Sequence, residues 1–596
     1  MTSKRRTWGQ FTTPTDVADV LLGFCLRRPD DRLLDPSCGD GALLRRATRW
    51  RGWLSEEAAA PPGEALYGVE LDEDAAARAA TAAGATVVPA NFLALDPTAP
   101  LAALGGRPLG NFDALIGNPP YTRAEWIGRL SAAAQLPLFG DDPTARHVRP
   151  YAVPGELAAA LSGRAGLHAY FLLHSLSFLR PRGRLGFVMP NGWLDIAYGA
   201  ALKRFLLDHF RVLAIIESAV ERWFAGASVN TCILILERAD EAGARDDNRV
   251  RLARLRRPLH ELLGVAAGDS RRVAAVEQLV GRLLPGGDRL AGDIAVRVGR
   301  QGDLAAEERW GALLRAPAVY LRPPSPALVP LGRWATIRRG HTTGANDFFY
   351  LDARRATALG LAPRFRRPLL KSLRGLTRPR LDTADCRHEL LLIPADAPLE
   401  GDLADYVASG EARGIHRRTT CAGRQPWYSL LEQPGSHLLL AKGVWQRHFA
   451  PLADEPVAID QQIYGLRLPA EWLAAAAALL NSVWFALQCE LRGRVNLGEG
   501  VLWLAAYELA AIPLPDLPAL GETARRDLAA AHARLGEGTI VAAETLEQPD
   551  RLALDELVFD LVGLPAGERD AARAALRACL SGRRVRARAV APAEAA

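Results

Sequence analysis

The sequence predicts an α/β protein whose amino-terminal part is built on a doubly wound, mostly parallel sheet. Short apolar runs alternate with helix-like segments from residue 12 to residue 240, and polar loops follow several of those runs directly. Strands that alternate with helices favour a parallel sheet with helices on both faces. Six strands are predicted at 32–35, 66–71, 112–117, 184–190, 212–218 and 230–237, and a further strand is expected before Asn91. Helices are predicted from Ala42 onward and over 72–84, 168–179 and 200–210.

The remainder of the chain divides into three predicted segments after a first domain of residues 1–240. Residues 241–325 are rich in arginine and are interpreted as a connecting region. Residues 326–515, with many Gly and Pro and isolated aromatic residues, predict a separate α+β domain, and residues 516–596 predict a helical tail. The apolar stretch 472–480 is too short to span a membrane and predicts a buried helix.

Composition and cysteine spacing exclude several classes of protein. The 73 basic and 67 acidic residues give a net charge of +6, which permits a polyanionic partner without requiring one. The seven cysteines are scattered and no two have C-x-x-C spacing, so neither a disulfide framework nor a structural metal site is expected. Because the first residues also lack the apolar core of a signal peptide, a cytoplasmic protein without a membrane span is expected.

The loop after the first predicted strand has the residue types of a cofactor site. Asp35, Ser37, Gly39 and Gly41 lie between that strand and the first helix, and the small residues let the backbone approach a ligand closely. A dinucleotide-binding loop is the competing interpretation, but its G-x-G-x-x-G pattern needs a glycine where Leu44 stands. Acidic residues on the loop suit a cationic ligand better than a pyrophosphate. Taken alone, the pattern also fits an ordinary strand-to-helix turn.

Glu70, the pair Asn91 and Phe92, and Asn118 complete the predicted cofactor site. Glu70 ends the second strand, where a carboxylate can accept hydrogen bonds from both ribose hydroxyls. Asn91 and Phe92 follow the third strand and can supply an amide and an aromatic face to an adenine ring. S-adenosylmethionine fits this combination, because it carries an adenosine ribose, ammonium and sulfonium charges, and no phosphate.

The chemistry is expected at Asn118, Pro119, Pro120 and Tyr121, directly after the predicted strand 112–117. The amino nitrogen of adenine is a poor nucleophile, because its lone pair is delocalised into the ring. The Asn118 side-chain oxygen and the Pro119 carbonyl can each accept one of its N–H bonds, which draws the nitrogen toward tetrahedral geometry. The prolines stiffen the loop, so the two acceptors are preorganised. An isolated N-P-P-Y is equally compatible with a proline-rich turn and a packed tyrosine.

Two aromatic residues are predicted to hold the target base. An adenine inside a duplex is inaccessible to this chemistry, so it has to be flipped out. Tyr121 offers one face for stacking, and Phe224, in a loop between two predicted strands, is the candidate for the other face. An ordinary core phenylalanine is the alternative for Phe224. The reaction needs no metal, because positioning and electrostatics supply most of its rate.

With these motifs in this order, the chain resembles the gamma class of amino-methyltransferases, the Taq-type and Eco57I-like N6-adenine DNA methyltransferases of restriction–modification systems. The resemblance covers residues 8 to 240, and the cofactor loop precedes N-P-P-Y with no recognition domain between them. It implies a Rossmann-like class I S-adenosylmethionine-dependent methyltransferase domain with a seven-stranded sheet. It also implies that Thr13, in the motif 9–14, closes over the methionine end of the cofactor, and it supports Phe224 as a stacking residue. Asn91 replaces the aspartate usual in the family, which implies a weaker contact to the cofactor's adenine amine.

The carboxyl-terminal half resembles the target-recognition domain of that family more loosely, at 335–351, 441–449 and 480–496. Residues 364–380 contain seven basic residues and no acidic one, a run that can track DNA phosphates, although a solvated loop is an equal alternative. The predicted DNA-binding residues are Arg364, Arg366, Arg367, Lys371, Arg374 and Lys442, with Arg447 and His448 as further candidates.

Double-stranded DNA is therefore the expected substrate, and a separately encoded restriction endonuclease is the expected partner. Methyltransferases that act on RNA adenine or on protein glutamine amides have a related N-P-P-Y and are a rival interpretation. A fused restriction–modification enzyme and a non-catalytic DNA-binding protein on the same scaffold are two others. The methylase motifs begin within ten residues of Met1, and no clear D…E-x-K set is visible, which favours a stand-alone modification enzyme.

Overall fold

The computed structural model describes residues 11–55, 65–121, 161, 165–196, 198–224, 230–306, 308–317, 320, 327–495, 500–539 and 546–588. The backbone divides into two compact units. The first unit comprises Met1–Arg315, Asn496–Glu499 and Arg584–Ala596, and the second comprises Ala316–Val495 and Gly500–Arg583. Most of the stretch predicted as a connecting region, 241–325, therefore belongs to the first unit.

The first unit alternates strands and helices along the chain, as the sequence predicts. Its main elements are α1 (Thr15–Cys25), β1 (Leu33–Asp35), α2 (Ala42–Leu54), β2 (Leu66–Glu70), α3 (Glu73–Ala83), β3 (Thr86–Pro89), β4 (Phe112–Gly117), α4 (Leu167–Ser175), β5 (Leu179–Pro190), α5 (Gly199–His209), β6 (Phe210–Ser218), β7 (Thr231–Arg238), β8 (Arg249–Leu255), α6 (Arg272–Leu283), β9 (Ile294–Arg300) and α7 (Trp310–Arg315). Shorter elements are the paired strands Pro100–Leu101 and Arg107–Pro108 and the helices Ala242–Asp246 and Leu259–Leu263.

These strands form one sheet in the order β9-β8-β6-β7-β5-β4-β1-β2-β3. Strand β7 is antiparallel to its neighbours β5 and β6, β9 is antiparallel to β8, and all other neighbouring strands are parallel. The doubly wound, mostly parallel sheet is thereby confirmed. It has nine strands where seven were expected, because β8 and β9 extend it at the β6 edge. Arginines alternate with the buried residues of β8, and this charge hides the strand pattern in the sequence.

The strand order places the switch point of the sheet between β1 and β4. The chain proceeds outward from β1 through β2 to β3 and then returns to β4 on the other side of β1. Such a reversal leaves a crevice outside the carboxyl ends of the two central strands, where open α/β sheets bind their ligands. Strands β1, β2 and β4 are buried along their whole lengths, and apolar clusters that include α1, α2 and α6 or α4 and α5 surround them.

The second unit contains a mixed sheet and helices, which confirms the α+β class expected for the carboxyl-terminal half. Its strands are Leu328–Pro330, Thr336–Arg339, Tyr350–Leu351, Arg366–Leu370, Arg380–Leu381, His388–Leu391, Ser436–Ala441, Gly443–Val444, Leu452–Ile459, Ile463–Arg467, Arg494–Val495, Leu502–Trp503 and Pro513–Pro515. Its helices are Asn346–Phe349, Ala353–Ala358, Gly401–Ala412, Thr419–Ala422, Leu473–Leu480, Val483–Arg492, Ala506–Ala510, Glu522–Glu537, Pro549–Leu561 and Ala566–Arg588, the last of which continues past Arg583.

An eight-stranded sheet forms the centre of the second unit, and most of its neighbouring strands are antiparallel. Leu473–Leu480 is a buried helix of this unit, as the apolar stretch 472–480 predicts. Within the described ranges, no single helix is long and apolar enough to cross a membrane, although the bent pair Ala470–Leu480 and Val483–Arg492 passes by length and composition alone.

Candidate active site

The carboxyl ends of three strands bring the predicted cofactor and catalytic residues to one edge of the first unit's sheet. Asp35 ends β1, Glu70 ends β2, and Asn118 follows β4 directly. Because β1 lies between β2 and β4 and all three are parallel, their carboxyl ends share the crevice at the switch point. The structure therefore groups residues that the sequence predicts to act together.

Asp35 is a carboxyl group buried at the end of β1. Its side chain is 1% exposed and accepts a hydrogen bond from the Ser37 backbone N–H at 3.1 Å. Burial raises the pKa of Asp35 to about 7, with the Ser37 N–H acting against the shift and the neighbouring Glu70 carboxylate adding to it. A cationic ligand beside this group would favour its charged form.

Glu70 ties the cofactor loop to the end of β2. Its Oε2 accepts a hydrogen bond from the Gly39 N–H at 2.8 Å, and its Oε1 accepts one from the Asp72 N–H at 3.1 Å. Each carboxylate oxygen has more than one acceptor direction, so both can still accept a ribose hydroxyl. Gly41 has a φ of +82°, and a Cβ there would meet Ala79 Cα at 3.0 Å, so the loop requires glycine at this position.

Ser37 contributes a buried hydroxyl to the same loop. Its Oγ has no hydrogen-bond partner among the described residues. Leaving such a group unsatisfied costs about 1–3 kcal/mol, so a polar ligand atom at this position would be favourable.

Asn91 and Phe92 follow β3 as predicted, and both side chains already contact the protein. Asn91 Oδ1 accepts a hydrogen bond from the Leu93 N–H at 3.1 Å and caps a 3₁₀ turn. The Phe92 side chain is 1% exposed. Its ring centroid lies 5.3, 4.9 and 4.8 Å from those of Phe171, His174 and Phe178. These are the contacts of a core residue, and the adenine-stacking role expected of Phe92 stays a prediction.

Asn118 is held by its amide nitrogen, and its side-chain oxygen has no partner among the residues that the structure describes. Its Nδ2 donates to the Phe11 carbonyl at 2.8 Å. Its Oδ1 is buried, and no group in the described part of the chain donates to it. Because the Nδ2 bond fixes the orientation of the amide, Oδ1 is a preorganised acceptor. Pro119, which carries the second expected acceptor, is buried beside it.

Three aromatic rings cluster next to Asn118. The ring centroids of Phe11 and Tyr121 are 5.8 Å apart, those of Phe11 and Phe224 are 6.2 Å apart, and those of Tyr121 and Phe224 are 6.0 Å apart. Tyr121 and Phe224 meet edge to face at 90°, so a base can stack between them only after one ring moves. Phe11 also belongs to this site. The site predictions from the sequence did not include Phe11, although its position in the motif 9–14 indicates a place near the cofactor.

Thr13 lies between Phe11 and α1 and is half-buried. Gly9 and Gln10 of the same motif lie outside the described residues, as do residues 225–229, which follow Phe224. The expected closure over the cofactor therefore stays a prediction.

The basic run 364–380 of the second unit contains side chains with and without an ion-pair partner among the described residues. Arg366, with its side chain 12% exposed, donates to Glu389 at 2.9 Å, and Arg367 lies 3.5 Å from Glu432. The exposed side chains that form no ion pair with a described carboxylate include Arg364, Lys371 and Arg374. These three cations are not neutralised by a described carboxylate, whereas Arg366 pairs with Glu389, and their contact with DNA phosphates stays a prediction.

Lys442 and Arg447 flank the short strand Gly443–Val444 of the second unit and are both half-buried. The Lys442 ammonium is 5.8 Å from the ring centroid of Trp503. Arg447 donates to the backbone carbonyls of Leu376 and Arg374 at 2.5 and 2.7 Å. Arg447 thus braces the basic run, which is a structural contact that the sequence does not indicate.

His448 belongs to a buried group of three side chains, His448, Glu490 and Arg583, here called the Glu490 cluster. His448 is 6% exposed at its side chain, and its Nε2 lies 2.7 Å from Glu490 Oε1. Arg583 donates to both Glu490 oxygens at 2.9 and 2.6 Å and also to the Trp445 carbonyl at 2.6 Å. Burial opposes ionisation of Glu490, but Arg583 and His448 outweigh it and lower the pKa to about 2. A DNA contact of His448 has no support here, because its imidazole is enclosed and paired.

Comparisons with known proteins agree with this geometry. A family model described as N-6 DNA Methylase matches residues 2–253, which include the parallel strands and the site at their carboxyl ends. A second model, described as the C-terminal domain of the type II methyltransferase M.Eco57I, matches residues 323–554.

Named relatives are similar over large parts of the chain. The type II methyltransferase M.XamI of Xanthomonas campestris pv. amaranthicola is 26% identical over 74% of this chain and 76% of that protein. M.TthHB8I of Thermus thermophilus is 27% identical over 42% of this chain, and the match spans 49% of that protein. The solved structure of the type IIL restriction-modification enzyme MmeI in complex with DNA has a TM-score of 0.59 at 13% identity, over 98% of this chain and 80% of that one. At this low identity, the match to MmeI shows a similar fold only.

Proposed function

Because this chain belongs to the gamma-class N6-adenine DNA methyltransferases, we propose that it transfers a methyl group from S-adenosylmethionine to N6 of an adenine flipped out of duplex DNA. The observation that carries the proposal is the buried Asn118 Oδ1, which nothing in the described ranges satisfies. A buried acceptor at the carboxyl end of a central strand favours a ligand that donates, and the amino group of adenine is such a donor.

The residues at the ends of β1 and β2 fit S-adenosylmethionine. Asp35 is a buried carboxyl group that a cation would hold in its charged form, and Glu70 retains acceptor directions for two ribose hydroxyls. Ser37 Oγ lacks a described partner. No described residue other than the two chain neighbours of Gly39 has an atom within 4 Å of the position that a Cβ would take there. When bound, the cofactor supplies an electrophilic methyl group.

Asn118 and Pro119 make the amino nitrogen of the target adenine nucleophilic. Asn118 Oδ1 and the Pro119 carbonyl accept its two N–H bonds, which localises the nitrogen lone pair outside the ring. The Phe11 carbonyl holds the Asn118 amide, so the acceptor does not have to reorganise during the reaction. Because Asn118 Oδ1 is buried, its hydrogen bond to the base is stronger than it would be in water. Tyr121 and Phe224 hold the ring of the base once they separate.

The proposed biological setting is the modification of DNA within a restriction–modification system that has a separately encoded nuclease. The relatives named above as type II methyltransferases support this setting. Magnesium-dependent cleavage of unmethylated DNA by the pure protein would contradict it and would indicate a fused restriction enzyme.

Expression in a bacterial host without DNA methylation, followed by single-molecule sequencing of its genome, tests the proposal. N6-methyladenine at one short motif is expected with the wild type, and none is expected with the Asn118→Ala variant. An unmethylated genome, together with confirmed cofactor binding, would contradict DNA methylation and favour RNA adenine or a protein glutamine amide as the substrate.

A further inference from the structure

His168 is a buried imidazole that borders the catalytic tyrosine. It is the second residue of α4, is 5% exposed, and its ring meets the Tyr121 ring edge to face at 89° with a centroid distance of 6.5 Å. Neither Nδ1 nor Nε2 has a hydrogen-bond partner among the residues that the structure describes. Since Tyr121 is the proposed stacking face for the target base, an unsatisfied polar ring adjoins the base site.

An unsatisfied imidazole is unfavourable in the free protein. The cost is about 1–3 kcal/mol for a buried polar group without a partner. Burial lowers the pKa of His168 to about 4, so the ring is neutral near pH 7 and offers one N–H donor and one acceptor. His174 on the same helix differs, because its Nε2 lies 3.0 Å from the Leu95 carbonyl. Among the described residues, one buried histidine of α4 therefore has a hydrogen-bond partner, and the histidine beside Tyr121 has none.

We propose that His168 donates a hydrogen bond to a ring nitrogen of the flipped adenine and is a specificity-determining residue for the target base. This inference rests on the proposed adenine methylation. Asn118 and Pro119 engage the hydrogens of the amino group, and stacking on Tyr121 fixes the plane of the base but not its rotation within that plane. A second contact, at N1, N3 or N7, fixes that rotation and rejects a base that has no acceptor there.

The test combines a change in the enzyme with a change in the base. His168→Phe replaces the imidazole with an apolar ring. The substrates are duplexes that contain the motif found by sequencing, with adenine, 1-deazaadenine, 3-deazaadenine or 7-deazaadenine at the target position. Loss of the contacted nitrogen is expected to lower kcat/KM of the wild type about ten-fold more than that of the variant, the value of one hydrogen bond.

His532→Phe is the matched control. His532 lies on the helix Glu522–Glu537 of the second unit, is also 5% exposed, and burial likewise lowers its pKa to about 4. Its Nε2 also lacks a partner within the described part of the chain. This variant is expected to keep the wild-type response to all three deaza bases. Should His168→Phe fail to fold, His168→Gln retains an N–H donor and is expected to keep part of the discrimination.

The outcomes separate this inference from the proposed function. Equal responses of wild type and His168→Phe to all three deaza bases, with the wild type active on adenine, would overturn the role of His168 alone. The His168→Phe variant could also lose kcat/KM equally on all bases, with the whole loss explained by weaker cofactor binding. That result would overturn the role of His168 at the base and assign His168 to the cofactor site. An inactive wild type on the adenine duplex would contradict the proposed function itself.

Discussion

The crevice at β1 and β4 and the Glu490 cluster both contain buried polar side-chain atoms, but these atoms differ in whether the protein supplies them with hydrogen-bond partners. In the crevice, Ser37 Oγ and Asn118 Oδ1 have no described hydrogen-bond partner. In the cluster, Glu490 accepts two hydrogen bonds from Arg583 and one contact from His448. Burial alone therefore does not indicate function. An unsatisfied buried group favours a ligand, whereas a satisfied one favours a structural role.

The largest effect is expected for Asn118 in the crevice, whose side-chain oxygen has no described hydrogen-bond partner. Asn118→Ala removes one of two acceptors for the target amino group and should lower kcat by at least about 10²–10³-fold, as loss of a preorganised catalytic hydrogen bond does. Cofactor affinity should change only a few-fold, because Asp35 and Glu70 are untouched. Transfer of a labelled methyl group and calorimetric titration with S-adenosylmethionine measure the two quantities. Near-normal turnover would show that another group is the acceptor.

The Glu490→Gln variant tests whether the Glu490 cluster, whose buried groups are hydrogen-bonded, stabilises the fold. The change leaves Arg583 buried without its counter-charge and should lower the free energy of unfolding by about 3–5 kcal/mol, as measured by urea denaturation. Asp454→Asn is the matched control, since the Arg380–Asp454 pair has side chains that are 68% and 48% exposed. Its effect should be below about 1 kcal/mol. Equal losses of unfolding free energy in the two variants would show that the Glu490 cluster contributes no more to stability than a surface ion pair.

Asp35 and Glu490 are both buried carboxyl groups, yet their pKa values shift in opposite directions, to about 7 and about 2. Asp35 is therefore largely protonated in the free protein below pH 7, and a bound cation would favour its charged form with release of a proton. The Kd for S-adenosylmethionine is expected to fall about ten-fold as pH rises from about 5.5 to about 7.5. Asp35→Asn should flatten this dependence, and calorimetry in buffers of different ionisation enthalpy should count the released proton.

The contribution of Asp35 to folding stability depends on pH in the opposite direction from cofactor affinity. The folded pKa of Asp35 lies above the ordinary value of 3.8, so the folded protein retains the proton that the unfolded chain releases. The stabilising contribution of Asp35 is therefore complete below about pH 4 and is lost as pH rises through about 7.

For the binding prediction, a Kd for S-adenosylmethionine that is constant with pH would show that the cofactor does not place a cation near Asp35.

The smallest effects are expected in the basic run of the second unit. Arg374→Ala removes an exposed guanidinium that forms no ion pair with a described carboxylate. The change should reduce the salt dependence of DNA binding by about one phosphate contact, with a few-fold loss of affinity. Arg366→Ala should leave that dependence unchanged, because Arg366 already pairs with Glu389. Fluorescence anisotropy of a labelled duplex over a range of salt concentrations measures both. Identical slopes for the two variants would mean that pairing does not decide which arginines contact DNA.

The strands that carry the site were predictable from the sequence to within two residues. Strands β1, β2 and β4 are short apolar runs buried on both faces, and each ends at a polar loop that changes the residue pattern abruptly. Strands β8 and β9 were not predictable in the same way. Their buried residues alternate with arginine or other half-buried positions, so only pairing with β6 and with each other defines them.

By itself the sequence determined the order of the motifs, the fold class, and the residue types at the cofactor loop and N-P-P-Y, because periodicity and short motifs are local properties of the chain. Only the tertiary structure decided which of those side chains remain unsatisfied. Arg366 meets Glu389, 23 residues away, and His448 meets Glu490, 42 residues away, whereas Asn118 Oδ1 meets no donor in the described residues. Hydrogen bonds and ion pairs depend on distances of a few ångströms, and folding alone sets those distances between residues far apart in the chain.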